Sequence, residues 1–405
     1  MLCWRRNWHR YRIDSMKILF LTNLYPPHYI GGYEQLCMDV ANGLSAKGHD
    51  CHILTSTYGV GKRAIEGQVF RLLELEGDFQ GNRHSFSRSD KIRLSNEAIL
   101  AEMIKTVAPD IIFAWSMRRF SRSLLFLAEK SPAKVVYYVT DNWLLDHYRP
   151  TRQNLRKYIQ SYRYLLCRPK LRHVICSSEH MKHEMIENRI PLDHASVVHN
   201  GVDLEPYLNI QRKDVQNDLR ILYAGRLVSE KGAHTLLQAF ISFVERPVAA
   251  KLHLTIVGGG EEDYIEELKA ISRQAGIENI VRFTGNVSRE DLVEYFASHD
   301  IYVFPSIWQE PFSLTLIMAL ASEIPVVGTL TGGSKEILRD MHNCLAFEPG
   351  DSSGLADKLQ ILVDDADLSK TLARQGRADS LSYSLPKMID KVEEVLQQVT
   401  KDNKS

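Results

Sequence analysis

The chain has 405 residues, of which 44% are hydrophobic and 25% charged, and its 50 basic and 50 acidic side chains give a formal net charge of zero. This length exceeds what one hydrophobic core usually organises, so two domains are expected. The balanced charge removes any whole-molecule argument for nucleic-acid binding, and no uncharged apolar stretch approaches the roughly 20 residues of a membrane-spanning helix. Six scattered cysteines without a CxxC pair favour a reduced, cytoplasmic compartment.

The first fifteen residues, MLCWRRNWHRYRIDS, are basic and aromatic but lack the apolar run of a signal peptide. Two interpretations stay open for this extension. It is either a mis-assigned start or disordered tail before Met16, or an arm that binds a membrane surface. The first domain is therefore expected to begin at Met16.

Short apolar runs rich in Val, Ile, Leu and Tyr alternate with longer helical segments, which predicts strands buried on both faces of a parallel sheet. In the first half the predicted strands are 17–21, 52–55, 110–115, 134–139, 173–178 and 196–201. A helix is predicted over 34–48, because apolar residues recur at helical spacing and Gly48 provides a stop. Gly31 and Gly32 precede it, where the backbone can approach a ligand closely, although adjacent glycines also mark simple turns.

The same alternation restarts after a polar stretch at 209–218. The predicted strands of the second half are 220–225, 252–260, 280–285, 300–306, 325–330 and 344–347. The pattern predicts an α/β protein with two doubly wound, Rossmann-like parallel-sheet domains whose strand ends face a central cleft.

The linker between these domains is predicted near 204–218, where the composition turns polar and Pro206 is expected to interrupt regular structure. This places one domain at 16–205 together with the C-terminal helix of 380–400, and the other at 206–379.

One candidate site follows the strand at 220–225. The strand ends at Gly225, Arg226 comes next, and Lys231 and Gly232 open a helix. Two cations five residues apart beside a helix N-terminus form a site for a diphosphate, because the backbone N–H groups and the helix dipole favour anions. The alternative is a solvated loop with ordinary surface cations.

A second candidate site follows the strand at 300–306. Glu310 and Pro311 stand directly before an apolar helix, and a carboxylate there can accept hydrogen bonds from sugar hydroxyls. The backbone amides of Phe312, Ser313 and Leu314 can bind phosphate. The alternative role for Glu310 is helix capping, worth up to about 1 kcal/mol.

Four segments together make a family resemblance specific: GRLVSEKG, EPFSLTLIMALA, HNGVD at 199–203 and TGGSKE at 331–336. They resemble the retaining group-1 (family 4) glycosyltransferases of the GT-B fold, and the similarity extends over nearly all of 16–400 in family order.

The resemblance implies a role for each part of the motifs. Arg226 and Lys231 would neutralise the diphosphate of a nucleotide-sugar donor, Glu310 would contact the donor sugar, and Gly31 with Gly32 would form the loop that closes over the phosphate.

Arg282 and Phe283 match the region where such enzymes hold the base. Phe283 could equally be a core residue. The resemblance implies that the nucleotide sugar is a co-substrate and that the reaction uses no cofactor.

Two positions depart from the family pattern. The second Glu of the family motif, which binds ribose hydroxyls, is Met318 here, and a thioether accepts hydrogen bonds poorly. The family often has His before Asp in a motif resembling HDxW, whereas VTDNW places Thr140 beside Asp141. Thr140 cannot perform the proton chemistry of a histidine, and Asp141, a candidate catalytic residue, has turn capping as its alternative role.

The mechanism implied by the resemblance is front-face retention without a covalent intermediate. Fixed cations and helix-terminal amides stabilise the charge that develops on the departing diphosphate. No DxD motif stands at a strand end, so the sequence predicts a metal-independent enzyme.

The acceptor is expected to be a glycan, a lipid-linked sugar or a small molecule. No acidic residue lies between Asp146 and Glu179, whereas eight basic residues fall within 149–172. This stretch predicts peripheral contact with the inner face of a membrane or with a lipid diphosphate, and its alternative is a solvated helical face.

Three rival functions stay open at this stage. Met318 and Thr140 motivate a catalytically impaired sugar-nucleotide binding protein. A GT-B epimerase or phosphorylase would share the same fold. A nicotinamide-dependent oxidoreductase needs a GxGxxG turn, and the glycines at 258–260 have the wrong spacing.

Overall fold

A computed structural model describes residues 15–79, 84–148, 168–211 and 218–401. The chain divides into two compact units, Met1–Ile175 with Glu393–Ser405, and Cys176–Val392. The predicted N-terminal extension and most of the basic stretch at 149–172 lie outside the described residues. Within the described ranges, no helix combines the length and the apolar character needed to cross a membrane.

The first sheet has eight strands in the order β3-β4-β2-β1-β5-β6-β7-β8. They are β1 (Lys17–Thr22), β2 (Asp50–Ser56), β3 (Ala64–Glu66), β4 (Val69–Leu73), β5 (Ile111–Ser116), β6 (Lys134–Val139), β7 (His173–Cys176) and β8 (Ser196–Val197). β1 pairs in parallel with both β2 and β5. Every residue of β5 is buried, as expected for a strand covered on both faces.

Two features of this sheet differ from the sequence prediction. The short β3–β4 hairpin, which is antiparallel, was not predicted. Its first strand is three residues long and partly exposed at the edge of the sheet, so it lacks the continuous apolar run used to find the others. The strand predicted over 196–201 was too long, since β8 ends at Val197.

The second sheet has six strands in the order β11-β10-β9-β12-β13-β14. They are β9 (Asp218–Ala224), β10 (Lys251–Val257), β11 (Val281–Gly285), β12 (Ile301–Phe304), β13 (Val326–Thr329) and β14 (Leu345–Phe347). Their pairings are parallel. All six strands predicted in this half are confirmed, with ends shifted by up to three residues.

The helices of the described residues complete both halves. They are α1 (Gly32–Ala46), α2 (Phe86–Val107), α3 (Ser123–Lys130), α4 (Trp143–Tyr148), α5 (Glu179–Glu187), α6 (Glu205–Leu208), α7 (Ala233–Val244), α8 (Glu262–Gln274), α9 (Arg289–Ser298), α10 (Leu314–Ala321), α11 (Ser352–Asp364), α12 (Ala366–Ser380) and α13 (Leu385–Lys401). Pro206 does not interrupt structure as predicted, because it lies in the first turn of α6, where proline needs no hydrogen-bond partner.

Hydrophobic cores cover both faces of the second sheet. Along β9, Ile221 and Tyr223 belong to one core, and Leu222 and Ala224 belong to the other. This alternation follows from the two-residue period of a strand. Because both faces are buried here, residues 221–224 of β9 form a continuous apolar run.

In each sheet, the order in which strands are added reverses beside the first strand. In the second sheet the chain passes from β9 outward to β10 and β11, then returns to place β12 on the other side of β9. In the first sheet β2 and β5 flank β1 in the same way. Ligands of open α/β sheets bind beyond the carboxyl ends of the strands at such switch points, which directs attention to the loops after β9 and β12.

A buried carboxylate holds the C-terminal part of the last helix within the first unit. Glu393 is 5% exposed and accepts hydrogen bonds from Lys47 Nζ at 2.6 Å and from His49 Nε2 at 2.9 Å. His49 Nδ1 accepts the backbone N–H of Met16, so its Nε2 carries the proton given to Glu393. Burial raises the pKa of Glu393, but these hydrogen bonds outweigh it and lower the pKa overall.

A buried histidine makes the first unit sensitive to acid. His147 is 6% exposed, and its Nδ1 donates to the Trp143 carbonyl at 3.0 Å. Burial lowers the pKa of His147 from 6.5 to about 4. The imidazole is therefore neutral in the folded state, while the unfolded chain takes up a proton as the pH falls below 6.5.

The contribution of the neutral His147 side chain to stability is therefore complete above pH 6.5 and is lost as the pH falls toward 4. Between pH 7.5 and 5 we expect the free energy of unfolding of the wild type to fall by about 2 kcal/mol more than that of His147→Gln. Urea unfolding followed by tryptophan fluorescence measures the difference. Equal pH dependence of the two proteins would rule out this role for His147.

Candidate active site

The loop after β9 carries the predicted diphosphate site. Gly225 and Arg226 follow the strand, and a single 3-10 turn, Ser229–Lys231, leads into α7. The Arg226 side chain is exposed, while its backbone carbonyl accepts a hydrogen bond from the Tyr223 hydroxyl at 2.9 Å. The Arg226 main chain is thus fixed and its guanidinium group projects into solvent.

Lys231 has a different environment from Arg226. Its side chain is 14% exposed and forms an ion pair with Glu310, whose side chain is 11% exposed. The ammonium group also lies 5.2 Å from the centre of the Trp308 ring. The structure therefore brings together one residue from each of the two candidate sites predicted from the sequence.

Gly232 is required by the geometry of this loop. It has φ = +70°, and a Cβ atom on it would lie 1.9 Å from the Pro305 carbonyl oxygen. Pro305 directly follows β12. A larger residue at 232 would force the loops after β9 and β12 apart.

The Glu310 turn packs against a second glycine pair. Gly333 N–H donates to the Glu310 carbonyl at 2.6 Å, and a Cβ on Gly333 would lie 2.1 Å from the Pro311 carbonyl oxygen. Gly332 has φ = +54°, and a Cβ on it would lie 2.4 Å from the Glu310 backbone carbonyl oxygen. In the sequence, TGGSKE was informative only through its family resemblance. In the structure its two glycines pack directly against the backbone of the Glu310 turn.

Glu310 does not cap the following helix. The N-cap of α10 is Ser313, whose Oγ accepts the Leu316 N–H at 3.4 Å, and Leu314 is the first helical residue. The first-turn amides of a helix have no intrahelical acceptor, so those beside Ser313 are available to an anion by geometry. The Glu310 carboxylate itself points to Lys231, which removes the capping alternative.

The remaining predicted donor residues are less closely associated with this pair. Phe312 is buried, and its ring stacks on that of His199 with 5.2 Å between centroids. Met318 is 6% exposed and lies in the core cluster on the α10 face of the sheet. Arg282 is exposed on β11, and Phe283 packs against the opposite core.

The strand order limits what Arg282 and Phe283 can contact. β10 separates β11 from β9, so these two residues lie two strands away from the Lys231 loop. The core-packing alternative describes Phe283 in this structure. Contact of either residue with a base stays a prediction.

In the first unit, Gly31 and Gly32 begin α1. Gly31 is the N-cap, and its N–H donates to the Glu34 carboxylate at 3.1 Å. Burial raises the pKa of Glu34, and the charge of Asp141 raises it further. This arrangement matches the simple-turn alternative, and the contact of the glycines with phosphate stays a prediction.

Asp141 follows β6 and has two partners. Its Oδ1 accepts the Trp143 N–H at 2.8 Å, and its Oδ2 accepts Arg118 Nε at 2.9 Å. Asp141 therefore caps the next turn, which was its alternative predicted role, and also forms an ion pair with Arg118. Arg118 was missed by the sequence analysis, although a cation just after the predicted strand at 110–115 was a usable signal. Thr140 is 1% exposed, and its hydroxyl has no partner among the described residues.

Within the described ranges, no group of three or more His, Cys, Asp or Glu side chains is arranged to hold a metal ion. The four described cysteines, at 37, 51, 176 and 344, are free and buried.

Two parallel-sheet α/β domains, each with a switch point beside its first strand, are the architecture of the GT-B class of protein. The model for Glycosyltransferase Family 4 matches residues 30–206, and the model for Glycosyl transferases group 1 matches residues 208–379. The chain belongs to the group 1 glycosyltransferase family.

Named relatives agree with this assignment. An uncharacterized glycosyltransferase of Methanocaldococcus jannaschii is 25% identical, over 90% of this chain and 93% of that protein. The glycogen synthase of Mycobacterium tuberculosis is also 25% identical, with 89% of each chain covered. The crystal structure of Anabaena HepE in complex with UDP and glucose shares the fold, with a TM-score of 0.70, 22% identity, and coverage of 95% of this chain and 100% of HepE.

Proposed function

We propose that this protein transfers a sugar from a nucleoside diphosphate donor to an acceptor, with retention of anomeric configuration and without a metal ion. The observation that carries the proposal is the Lys231–Glu310 pair, held between the loops that follow β9 and β12. This is the position at which open α/β sheets bind their ligands. HepE, which shares the fold, was solved with UDP and glucose.

The chemistry follows from the charges at this position. Departure of the nucleoside diphosphate builds negative charge on its β-phosphate oxygens while the sugar becomes electron-poor. Arg226 and Lys231 supply positive charge for the phosphates, and the Glu310 carboxylate accepts hydrogen bonds from the sugar hydroxyls. On donor binding, Lys231 would exchange its contact with Glu310 for the diphosphate, and Glu310 would exchange it for the adjoining sugar.

We further propose that the acceptor is a glycan or a lipid-linked sugar in polysaccharide or glycoconjugate synthesis. The similarity to a glycogen synthase over most of the chain supports a growing polysaccharide as one acceptor class. A second candidate function is binding of a sugar nucleotide without turnover. Thr140, which stands where the family often has histidine, favours it, because a hydroxyl cannot perform the proton chemistry of an imidazole.

Thermal unfolding of the purified protein with a panel of nucleoside diphosphates and nucleotide sugars tests the proposal. A ligand present at 100 times its Kd should stabilise the wild type by about 3 kcal/mol, and Arg226→Ala should remove most of this stabilisation. Arg374→Ala, which removes another exposed arginine of the same unit, is the matched control and should keep it.

No stabilisation by any member of the panel would contradict the proposal. Binding without product formation would support the second candidate. With the donor known, the anomeric configuration of the product, read by NMR, decides between retention and inversion, and activity in EDTA tests the need for a metal.

A further inference from the structure

A carboxylate outside the Lys231–Glu310 pair organises the elements around it. Glu336 Oε1 accepts the His180 N–H at 2.9 Å, and Oε2 accepts the Glu179 N–H at 3.1 Å. His199 Nε2 donates to the same Oε2 at 2.7 Å. Burial raises the pKa of Glu336, but the hydrogen bonds from these partners lower it overall, so the carboxylate is ionised at neutral pH. One charged side chain therefore holds both the first turn of α5 and the His199 ring.

Both of these partners lead to the segment that follows Glu310. Ser178, the N-cap of α5, donates from Oγ to the Pro311 carbonyl at 2.8 Å. The His199 ring stacks on Phe312 with 5.2 Å between centroids and an angle of 19° between the ring planes. Two separate contacts thus run from the Glu336 carboxylate to consecutive residues of the Glu310 turn.

A tyrosine closes the cluster from its other side. The Tyr383 hydroxyl donates to the Glu336 backbone carbonyl at 2.6 Å. Its ring meets the His199 ring edge-on at 5.6 Å and lies 5.7 Å from the Phe312 ring. Since rings on two sides limit its movement, the imidazole is fixed in orientation as well as in position.

We infer that Glu336 and His199 are positioning residues, which fix Pro311 and Phe312 and thereby hold the Glu310 carboxylate where it meets Lys231. Neither residue contacts Lys231 or Glu310 through its side chain. The effect of the pair on donor binding rests on the proposed function, whereas its effect on the geometry of the Glu310 turn does not.

The same unit contains a natural control. His342 Nε2 lies 3.0 Å from Asp379 Oδ2, and this carboxylate also accepts hydrogen bonds from Arg339 and Asn343. Asp379 lies on α12 and binds a histidine as Glu336 does, but its side-chain hydrogen bonds lead to the loop at 339–343 and to Gln375, and not to Pro311 or Phe312. Asp379→Asn should therefore lower stability without altering the site.

Trp308 supplies a local readout that does not need a substrate. It is the only tryptophan of 176–392, the Lys231 ammonium group lies over its ring, and its backbone N–H donates to the Glu230 carbonyl at 3.1 Å. Protein labelled with 5-fluorotryptophan gives one fluorine resonance for this residue, which the Trp308→Phe variant assigns. A second readout is the Kd for UDP, GDP and ADP, each titrated separately by calorimetry.

We expect Glu336→Gln and His199→Phe to shift or broaden the Trp308 resonance and to raise the Kd of the bound nucleoside diphosphate about tenfold. Asp379→Asn should leave both readouts unchanged. His199→Phe keeps a ring on Phe312 and removes only the hydrogen bond, so it provides a second test if Glu336→Gln proves unstable.

An unchanged Trp308 resonance in both variants would overturn the inference, as would an equal change in Asp379→Asn. If the wild type binds none of the three nucleotides, the proposed function is weakened. The fluorine resonance still decides whether Glu336 and His199 position the turn.

Discussion

Replacing Lys231 by Met is expected to lower kcat/KM for the donor by about 10²- to 10³-fold. The change removes a fixed cation from the site at which negative charge develops on the leaving diphosphate, and preorganised charges of this kind have effects of that size. Steady-state kinetics with the donor identified by thermal unfolding measure the loss.

The same variant should also be less stable, by about 1 to 3 kcal/mol, because it leaves the mostly buried Glu310 carboxylate without its partner. The double variant Lys231→Met/Glu310→Gln should recover much of this stability while remaining inactive. Lys269→Met is the matched control, since it breaks an exposed pair with Glu266 in the same unit and should leave kcat/KM unchanged. Full activity in Lys231→Met would contradict the proposed role.

The second large effect is expected for Gly232→Ala. A Cβ at this position adds a collision with the Pro305 carbonyl to the strain of a positive φ, so we expect the free energy of unfolding to fall by more than about 3 kcal/mol. Activity should fall as well, because relief of the collision moves the turn that carries Lys231. Chemical denaturation and steady-state kinetics give the two effects.

Gly276→Ala is the control for this prediction. Gly276 has nearly the same φ, +68°, but no atom lies within 4 Å of its Cβ position. The Gly276→Ala variant should lose only the stability that the left-handed conformation costs a non-glycine residue, about 1 to 2 kcal/mol, and should keep its activity. Equal losses in the two variants would show that the Pro305 contact has no special importance.

The second half of the fold could be predicted in detail from the sequence, because its strands are buried on both faces. Such strands contain continuous apolar runs, as at residues 221–224 of β9, and turn residues separate them from the helices. The β3–β4 hairpin was not predicted because an edge strand with exposed residues lacks that pattern. The short β8 ended early because hydrogen bonding to neighbours, and not composition, determines where a strand stops.

The candidate site was predicted in part for a related reason. Lys231 and Glu310 each stood at the end of a predicted strand and the start of a helix, so local pattern located both. Their direct contact spans 79 positions of the sequence and depends on β9 and β12 being neighbours in the sheet. No local pattern predicted that Glu336 and His199, which are 137 positions apart, would share a hydrogen bond, or that Arg118 would pair with Asp141.

The sequence by itself determined the elements, their order and the residue types that stand at the strand ends. These depend on burial periodicity, on glycine and proline at turns, and on motifs that lie within a few residues of each other. Only the tertiary structure decided which strand ends are neighbours, and hence which charges pair and which groups hold them in place. The physical reason is that strand order in a parallel sheet is fixed by crossover connections and by packing over the whole sheet, so residues far apart in the chain become partners without any local signal of it.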